Sequence, residues 1–308
     1  MLRQCIESRL SYYQQSLSLF SASSHKFKIV HSISNRPASI NSSSTYSSNG
    51  YESLKTAAPL YILDASFNPP TVAHMRMILH SGLFAGNGSI ATCQSRLLLL
   101  LAVKNADKPP QRASLDHRLS MMEMFCSDLL LNIPENQREN LKIDIGIISS
   151  PYFVDKMNTI EASGLYPPDM EHIYLIGFDT LARIMNPQYY PPNYTLEKLQ
   201  SPLEKHRFLV FYRPGDKYGS ESEQNTYLAD IANGSLDAVA GQRDWVREGR
   251  IKLHEVSNCT NCDNENIISS TKIRDIIKQG DEKLIKTSLG KILTVCVHEW
   301  IGCNRLYI

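Results

Sequence analysis

Two short stretches hold residue types at spacings suited to phosphate chemistry. The first runs Leu63-Asp64-Ala65-Ser66-Phe67-Asn68-Pro69-Pro70-Thr71-Val72-Ala73-His74. It leads from an apolar run into a helical pattern carried by Val72, Met75, Met77 and Ile78. Pro69 and Pro70 fix the backbone and remove two N–H groups just before that helix. Thr71 is placed to cap it, and His74 lies one turn in. A helix N-terminus already favours an anion through its free N–H groups and its dipole. A hydroxyl and an imidazole there add two donors. Alone, the stretch also reads as a proline-stiffened turn with an ordinary capping Thr and a surface His.

The second stretch is Ile267-Ile268-Ser269-Ser270-Thr271-Lys272-Ile273-Arg274-Asp275. Three hydroxyl residues precede a helical pattern and offer caps or phosphate donors. Arg274 falls in the first turn, where the helix dipole disfavours a cation. An anion bound at the same place relieves that conflict. A solvated Arg beside an ordinary cap is the plainer reading.

These residues need a frame to bring them together. From Pro59 onward short apolar runs alternate with helical stretches. The strand candidates are Leu60–Leu63, Leu97–Val103, Ile143–Ile148, His172–Ile176, Phe208–Tyr212 and Ile251–Leu253. The helix candidates are Val72–Leu83, Leu115–Leu130, Val154–Ala162, Glu221–Ala232, Thr271–Gln279 and Ile292–Ile301. Strands spaced by helices predict crossover units: a Rossmann-like, doubly wound α/β fold with a mainly parallel sheet and helices on both faces. Ligands of such sheets sit at the carboxyl ends of the strands, near a topological switch point.

The chain has 308 residues, 42% hydrophobic and 20% charged, which suits a folded core. Lys+Arg 32 against Asp+Glu 31 gives a net charge of +1, so no overall basic surface for nucleic acid is signalled. The longest apolar run, Leu97–Val103, is far short of the roughly 20 residues of a membrane span. Residues 59–308 are expected to form the catalytic domain and residues 1–58 an extension. In that extension Leu2, Ile6, Leu10, Tyr13, Leu17 and Phe20 recur at helical steps, and eight serines in 31–50 suggest a linker. The helix docks on the main domain or serves a protein partner. Up to residue 51 the only acid is Glu7, so a mitochondrial transit peptide is a secondary alternative to a cytoplasmic or nuclear location. The seven cysteines are read as reduced thiols; Cys259-x-x-Cys262 with His254 is too small a set for a structural zinc site.

Together the two stretches resemble the signatures of the nucleotidyltransferase superfamily, and most closely those of the eukaryotic-type nicotinamide mononucleotide adenylyltransferase family. Ala65-Ser66-Phe67-Asn68-Pro69-Pro70-Thr71-Val72-Ala73-His74 is similar to that family's Gly-Ser-Phe-Asn-Pro-x-Thr-x-x-His, with Ala65 in place of Gly. Gly177-Phe178-Asp179 is similar to its Gly-Ala-Asp, Arg213-Pro214-Gly215 to its Arg-x-Gly, and Leu306-Tyr307 to its terminal Leu-Tyr. Ile268 through Arg274 matches its Ile-Ser-Ser-Thr-x-x-Arg, and the resemblance spans roughly 59–308.

The resemblance implies ATP and nicotinamide mononucleotide as substrates, joined to NAD with release of pyrophosphate. The acceptor phosphate attacks the α-phosphorus in line, without a covalent enzyme intermediate. His74 and Arg274 carry the catalysis. Ser66, Phe67, Asn68, Thr71, Gly177, Asp179, Ser269, Ser270 and Thr271 join them in binding ATP. Arg112, Arg118, Tyr152, Tyr189, Tyr190 and Arg213 serve the acceptor, and Mg²⁺ is held by the phosphates and water rather than by protein ligands. The family stacks its pyridine ring on aromatics, often Trp. Here Trp245 and Trp300 lie elsewhere, and a tyrosine stands in. That leaves two rivals: a nucleotidyltransferase with another phosphorylated acceptor, such as phosphopantetheine or a choline- or ethanolamine-phosphate-type substrate, and a diverged ATP-binding or ATP-hydrolysing protein acting through a partner. An aminoacyl-tRNA synthetase is disfavoured by size.

Overall fold

The computed structural model describes residues 2–34, 58–84, 95–104, 113–192, 194–213, 215, 217–254, 270–280 and 289–308. Its strands are β1 (Phe27–Ser34), β2 (Leu60–Asp64), β3 (Ser95–Ala102), β4 (Leu141–Ile148), β5 (His172–Gly177), β6 (Arg207–Phe211) and β7 (Ile251–His254). They form one sheet in the order β1-β4-β3-β2-β5-β6-β7. All neighbours run parallel except β1, which is antiparallel to β4. From β2 the chain winds out through β3 and β4, then returns to the other side of β2 for β5, β6 and β7. The fold is therefore a doubly wound α/β sheet with its switch point between β2 and β5.

Layering explains the sequence pattern. Leu97 through Leu101 show no polar alternation because both faces of the central strands are covered. Leu97, Leu99 and Leu101 join Phe125, Ile143, Ile145 and Trp300 in one core; Leu98 and Leu100 join Leu60, Ile62, Phe153 and Phe208 in the other. Each such side chain contributes about 1.5–3 kcal/mol by leaving water. Helices α1 (Leu2–Ala22), α2 (Val72–Leu79) and α3 (Leu115–Leu131) contribute to the first core, as do Ser270–Gln279 and Val295–Cys303. Phe153–Ala162, Phe178–Ile184 and Glu221–Asn233 cover the opposite face.

Parts of the expected extension, residues 1–58, pack into the main sheet and core. Within the extension, Phe27–Ser34 is an edge strand of the main sheet, and its last residues overlap the presumed linker. Its signal was hidden because an edge strand beside a Ser-rich tract keeps only part of its side chains buried. Helix α1 is built into the core as well. Tyr13 and Phe20 are buried, Arg9 Nε pairs with Glu123 Oε2 at 2.9 Å, and Gln14 donates to Asp116 at 2.7 Å. The docking surface of α1 is this chain's own α3. Residues 35–57, which include the rest of the presumed linker, lie outside the described residues, as do Cys259 and Cys262. Among the described residues, no helix is long and apolar enough to cross a membrane.

Candidate active site

A cleft of about 590 Å³ opens over the carboxyl ends of β2 and β5, at the switch point. One wall is the turn between β2 and α2. Phe67 takes φ 43 there, in the left-handed region, and its ring is fully buried. Asn68 is fully buried too. The turn is clamped by hydrogen bonds from distant parts of the chain. Arg274 Nη1 donates to the Asn68 carbonyl at 2.7 Å, and Ser270 Oγ to the Pro69 carbonyl at 2.8 Å. Tyr307 Oη donates to Asn68 Oδ1 at 2.7 Å, and Arg118 Nη1 reaches the Ser66 carbonyl at 3.4 Å. The two motifs, some two hundred residues apart, therefore form one structure.

Thr71 is the N-cap of α2, and His74 completes a reciprocal cap in the place usually taken by Glu or Gln. The Thr71 N–H donates to His74 Nδ1 at 3.0 Å, and the Thr71 hydroxyl lies 2.8 Å from the same nitrogen. An atom that accepts from a backbone N–H carries no proton of its own. The neutral ring therefore keeps its hydrogen on Nε2, on the side away from the cap. Burial pushes the His74 pKa down to about 4; Arg213 adds to that and Asp179 opposes it. At neutral pH His74 is an uncharged hydrogen-bond donor lining the cleft.

The far wall comes from β5 and β6. Asp179 Oδ1 pairs with Arg213 Nη1 at 3.1 Å. A Cβ at Gly177 would sit 2.6 Å from Asp179 Oδ1, so a larger residue at the strand end displaces that carboxylate. The third side is aromatic. Tyr152, Tyr189 and Tyr190 line it; the Tyr152 and Tyr190 rings are 5.7 Å apart, and Tyr190 stacks on Tyr194 at 3.8 Å.

The structure thus gathers Ser66, Thr71, His74, Gly177, Asp179, Ser270, Thr271 and Arg274 around one cleft, with Tyr152, Tyr189, Tyr190 and Arg213. Other expected contacts require correction. Phe67 and Asn68 shape the wall from behind, with no exposed surface. Arg118 is 6% exposed and does not line the cleft; its Nε donates to the Ala113 carbonyl at 3.1 Å and its Nη1 reaches the Ser66 carbonyl of the turn, so its guanidinium is engaged with backbone behind the cleft wall. The Ser270 hydroxyl gives its hydrogen to Pro69, which leaves its backbone N–H as the group for an anion. Ser269 and Arg112 lie outside the described residues.

Sequence reasoning missed Asp64 and Lys156, which meet at the cleft floor, and Arg183, Lys217 and Tyr218 at its margin. A signal existed for Lys156: it follows Tyr152 by four residues, which puts both on one helix face. Among the described residues, no group of three or more His, Cys, Asp or Glu is placed to hold a metal ion. Asp64 and Asp179 each face a cation instead.

The chain is 34% identical over 225 residues to a Schizosaccharomyces pombe protein named "Putative nicotinamide mononucleotide adenylyltransferase", covering 73% of this chain and 78% of the relative. Among solved structures, one similar chain is titled "Putative Nicotinate-nucleotide Adenylyltransferase", from Vibrio parahaemolyticus. It is 13% identical and superposes with a TM-score of 0.41 over 82% of this chain and 95% of its own. No protein-family model matches the chain.

Proposed function

The chain belongs to the nicotinamide mononucleotide adenylyltransferase family, and from that premise we propose that it joins ATP to nicotinamide mononucleotide, forming NAD and pyrophosphate. The observation that carries the proposal is the shared cleft of His74 and Arg274, floored by the switch point and faced by tyrosines. The reading is supported by two helix N-termini carrying hydroxyl, imidazole and guanidinium donors and by an aromatic wall, all at one opening on the carboxyl edge of the sheet.

In the proposed reaction a phosphate oxygen of the acceptor forms a bond to the ATP α-phosphorus as the bond from that phosphorus to the bridging oxygen of the β-phosphate breaks. The electron pair and the negative charge leave with pyrophosphate. Catalysis then rests on alignment and charge stabilisation. His74 Nε2–H donates to an α-phosphate oxygen as its charge grows, without giving up the proton. Arg274 commits one nitrogen to Asn68 and another to the Thr271 hydroxyl at 3.0 Å, which fixes the plane of its guanidinium. Its remaining N–H groups take the β- and γ-phosphates, together with the backbone N–H groups at the start of Ser270–Gln279. Asp179, held by Arg213, accepts from a ribose hydroxyl. The tyrosines take the place of the family's tryptophans against the pyridine ring. The donor set fits Mg²⁺ entering with ATP on phosphate and water ligands, where it neutralises phosphate charge.

Pyrophosphate release from ATP, measured with nicotinamide mononucleotide, phosphopantetheine and phosphocholine in turn, tests the reading. The first acceptor is expected to give NAD at the same rate as pyrophosphate. Equal rates without any acceptor indicate an ATP-hydrolysing protein and overturn the proposal.

A further inference from the structure

Arg118 is a buried charge that the proposed reaction leaves unused. It lies on α3, away from solvent. Among the described residues no carboxylate pairs with it. The partners of its guanidinium are backbone carbonyls, Ala113 for Nε at 3.1 Å and Ser66 for Nη1 at 3.4 Å. A buried cation is ordinarily offset by an acid. An arginine cannot escape the cost by releasing its proton.

A second guanidinium adds to the conflict. Arg274 Nη1 donates to the Asn68 carbonyl, so two like charges hold carbonyls two residues apart in one turn. Arg274 also has no carboxylate partner among the described residues; its other contact is the Thr271 hydroxyl. Burial pushes the Arg118 pKa down, Tyr307 opposes that, and Arg274 adds to it. Holding the turn does not call for this arrangement. The carbonyls of Ala113 and Ser66 need donors, and a neutral amide supplies them without burying a charge.

The missing compensation has a natural source. Arg274 and the starts of α2 and Ser270–Gln279 face the cleft, and Arg118 stands behind the turn that forms its wall. Phe67 and Asn68 fill that turn with no exposed surface. Across such a packed layer a charge acts strongly and salt screens it weakly.

We propose that Arg118 is a positioning residue of the anion site, whose charge, held behind the turn, strengthens the grip of Arg274 and the two helix N-termini on a polyphosphate in proportion to the ligand's negative charge. The inference rests on the reading of the cleft as an ATP site and extends that site to a residue that does not touch the nucleotide.

The test measures dissociation constants of ATP, AMP and adenosine by equilibrium dialysis. It uses the full-length protein in metal-free buffer, where ATP carries its full charge. Arg118→Gln keeps amide donors and removes the charge; it is expected to weaken ATP by about tenfold or more, AMP by less, and adenosine least. Arg118→Lys keeps the charge, and its preference for ATP over adenosine is expected to match the wild type. Each ratio is taken within one preparation, so an unfolded fraction cancels. An equal loss for all three ligands in Arg118→Gln is the mark of a merely structural residue and overturns the proposal. So does an Arg118→Lys protein that loses the preference as Arg118→Gln does, since guanidinium geometry then matters and charge does not. If Arg118→Gln does not fold, Arg118→Met, neutral and of similar length, takes its place under the same criterion; if neither neutral variant folds, Arg118 belongs to the fold and the proposal is overturned. A wild type that binds ATP no better than adenosine refutes the ATP site and this inference with it. A wild type that forms no NAD, in a series that shows the charge-graded loss, refutes adenylyl transfer and leaves the role of Arg118 standing.

Discussion

Replacing His74 by Ala separates a structural role from a chemical one. The structural part is small. The Thr71 N–H loses its acceptor on His74 Nδ1, and α2 loses one half of its reciprocal cap. A lost cap contact costs about 1 kcal/mol, against a total stability of about 5–15 kcal/mol, so the fold persists. The chemical part is larger. Removing one preorganised donor to transition-state charge lowers kcat by about 10²–10³-fold. The measurement is the rate of NAD formation, alongside a denaturant melt on the same preparation. The melt has a pH arm. The folded pKa of about 4 lies below the ordinary 6.5, so between those values the unfolded chain binds more protons than the folded one. Stability from this group is complete above about pH 6.5 and drains away as the pH falls toward 4, by at most about 3 kcal/mol. The His74→Ala protein lacks that drain and is less acid-sensitive than the wild type. Near-wild-type NAD formation by His74→Ala would remove the imidazole from the mechanism. An unchanged acid slope would show that its neutral state does not depend on burial.

Two further outcomes follow from the clamp and from α1. Tyr307→Phe removes the donor to Asn68 Oδ1 inside a buried site, at a cost of about 1–3 kcal/mol. If the clamp positions the turn, kcat falls in a preparation shown by circular dichroism to be folded, while ATP KM changes little; an unchanged kcat disposes of the positioning role. Tyr13→Ala empties a fully buried position whose hydroxyl also donates to Glu123 at 3.0 Å. A loss of about 3–5 kcal/mol is expected, and a denaturant midpoint equal to that of the wild type would return α1 to the status of a detached extension.

The elements that position the site were legible because the sheet is parallel and central. Leu60, Leu97, Ile143, His172 and Phe208 each open a short run bounded by helical stretches, and burial on both faces makes those runs mostly apolar, with Asp144 and His172 as exceptions. The pairing of the two motifs was legible in kind, since Arg274 in a first helical turn demanded an anion or some other compensation. The structure supplies the compensation in part from the Asn68 carbonyl. Other features were illegible for physical reasons. Arg118 looked like a cation on a helix face; its destination depends on where the carbonyls of Ala113 and Ser66 lie, and no local pattern encodes that. Lys156 is marked in sequence only by its spacing from Tyr152; that it meets Asp64, 92 residues away, no local pattern encodes. β1 was missed because half-exposed edge strands carry a weak alternation, and its neighbouring serines favour turns.

The clamp also bears on how the cleft handles two polyanions. Arg274, Arg213 and Lys156 are each tethered to an oxygen before any substrate arrives, the first to Asn68, the second to Asp179 and the third to Asp64. A tethered cation loses little rotational freedom when phosphate binds, so its donors meet the developing charge without reorganisation. The tethers differ, however. Arg274 leans on a neutral carbonyl and keeps its full positive charge for phosphate, whereas Arg213 and Lys156 are each neutralised by a carboxylate. Of these three cations, the one without a carboxylate partner therefore stands at the Arg274 end, beside the two helix N-termini. The ends with paired charges are suited to hydroxyls and amides. On the proposed reading, that polarity favours ATP with its polyphosphate toward Ser270–Gln279 and the acceptor's ring on the tyrosine side.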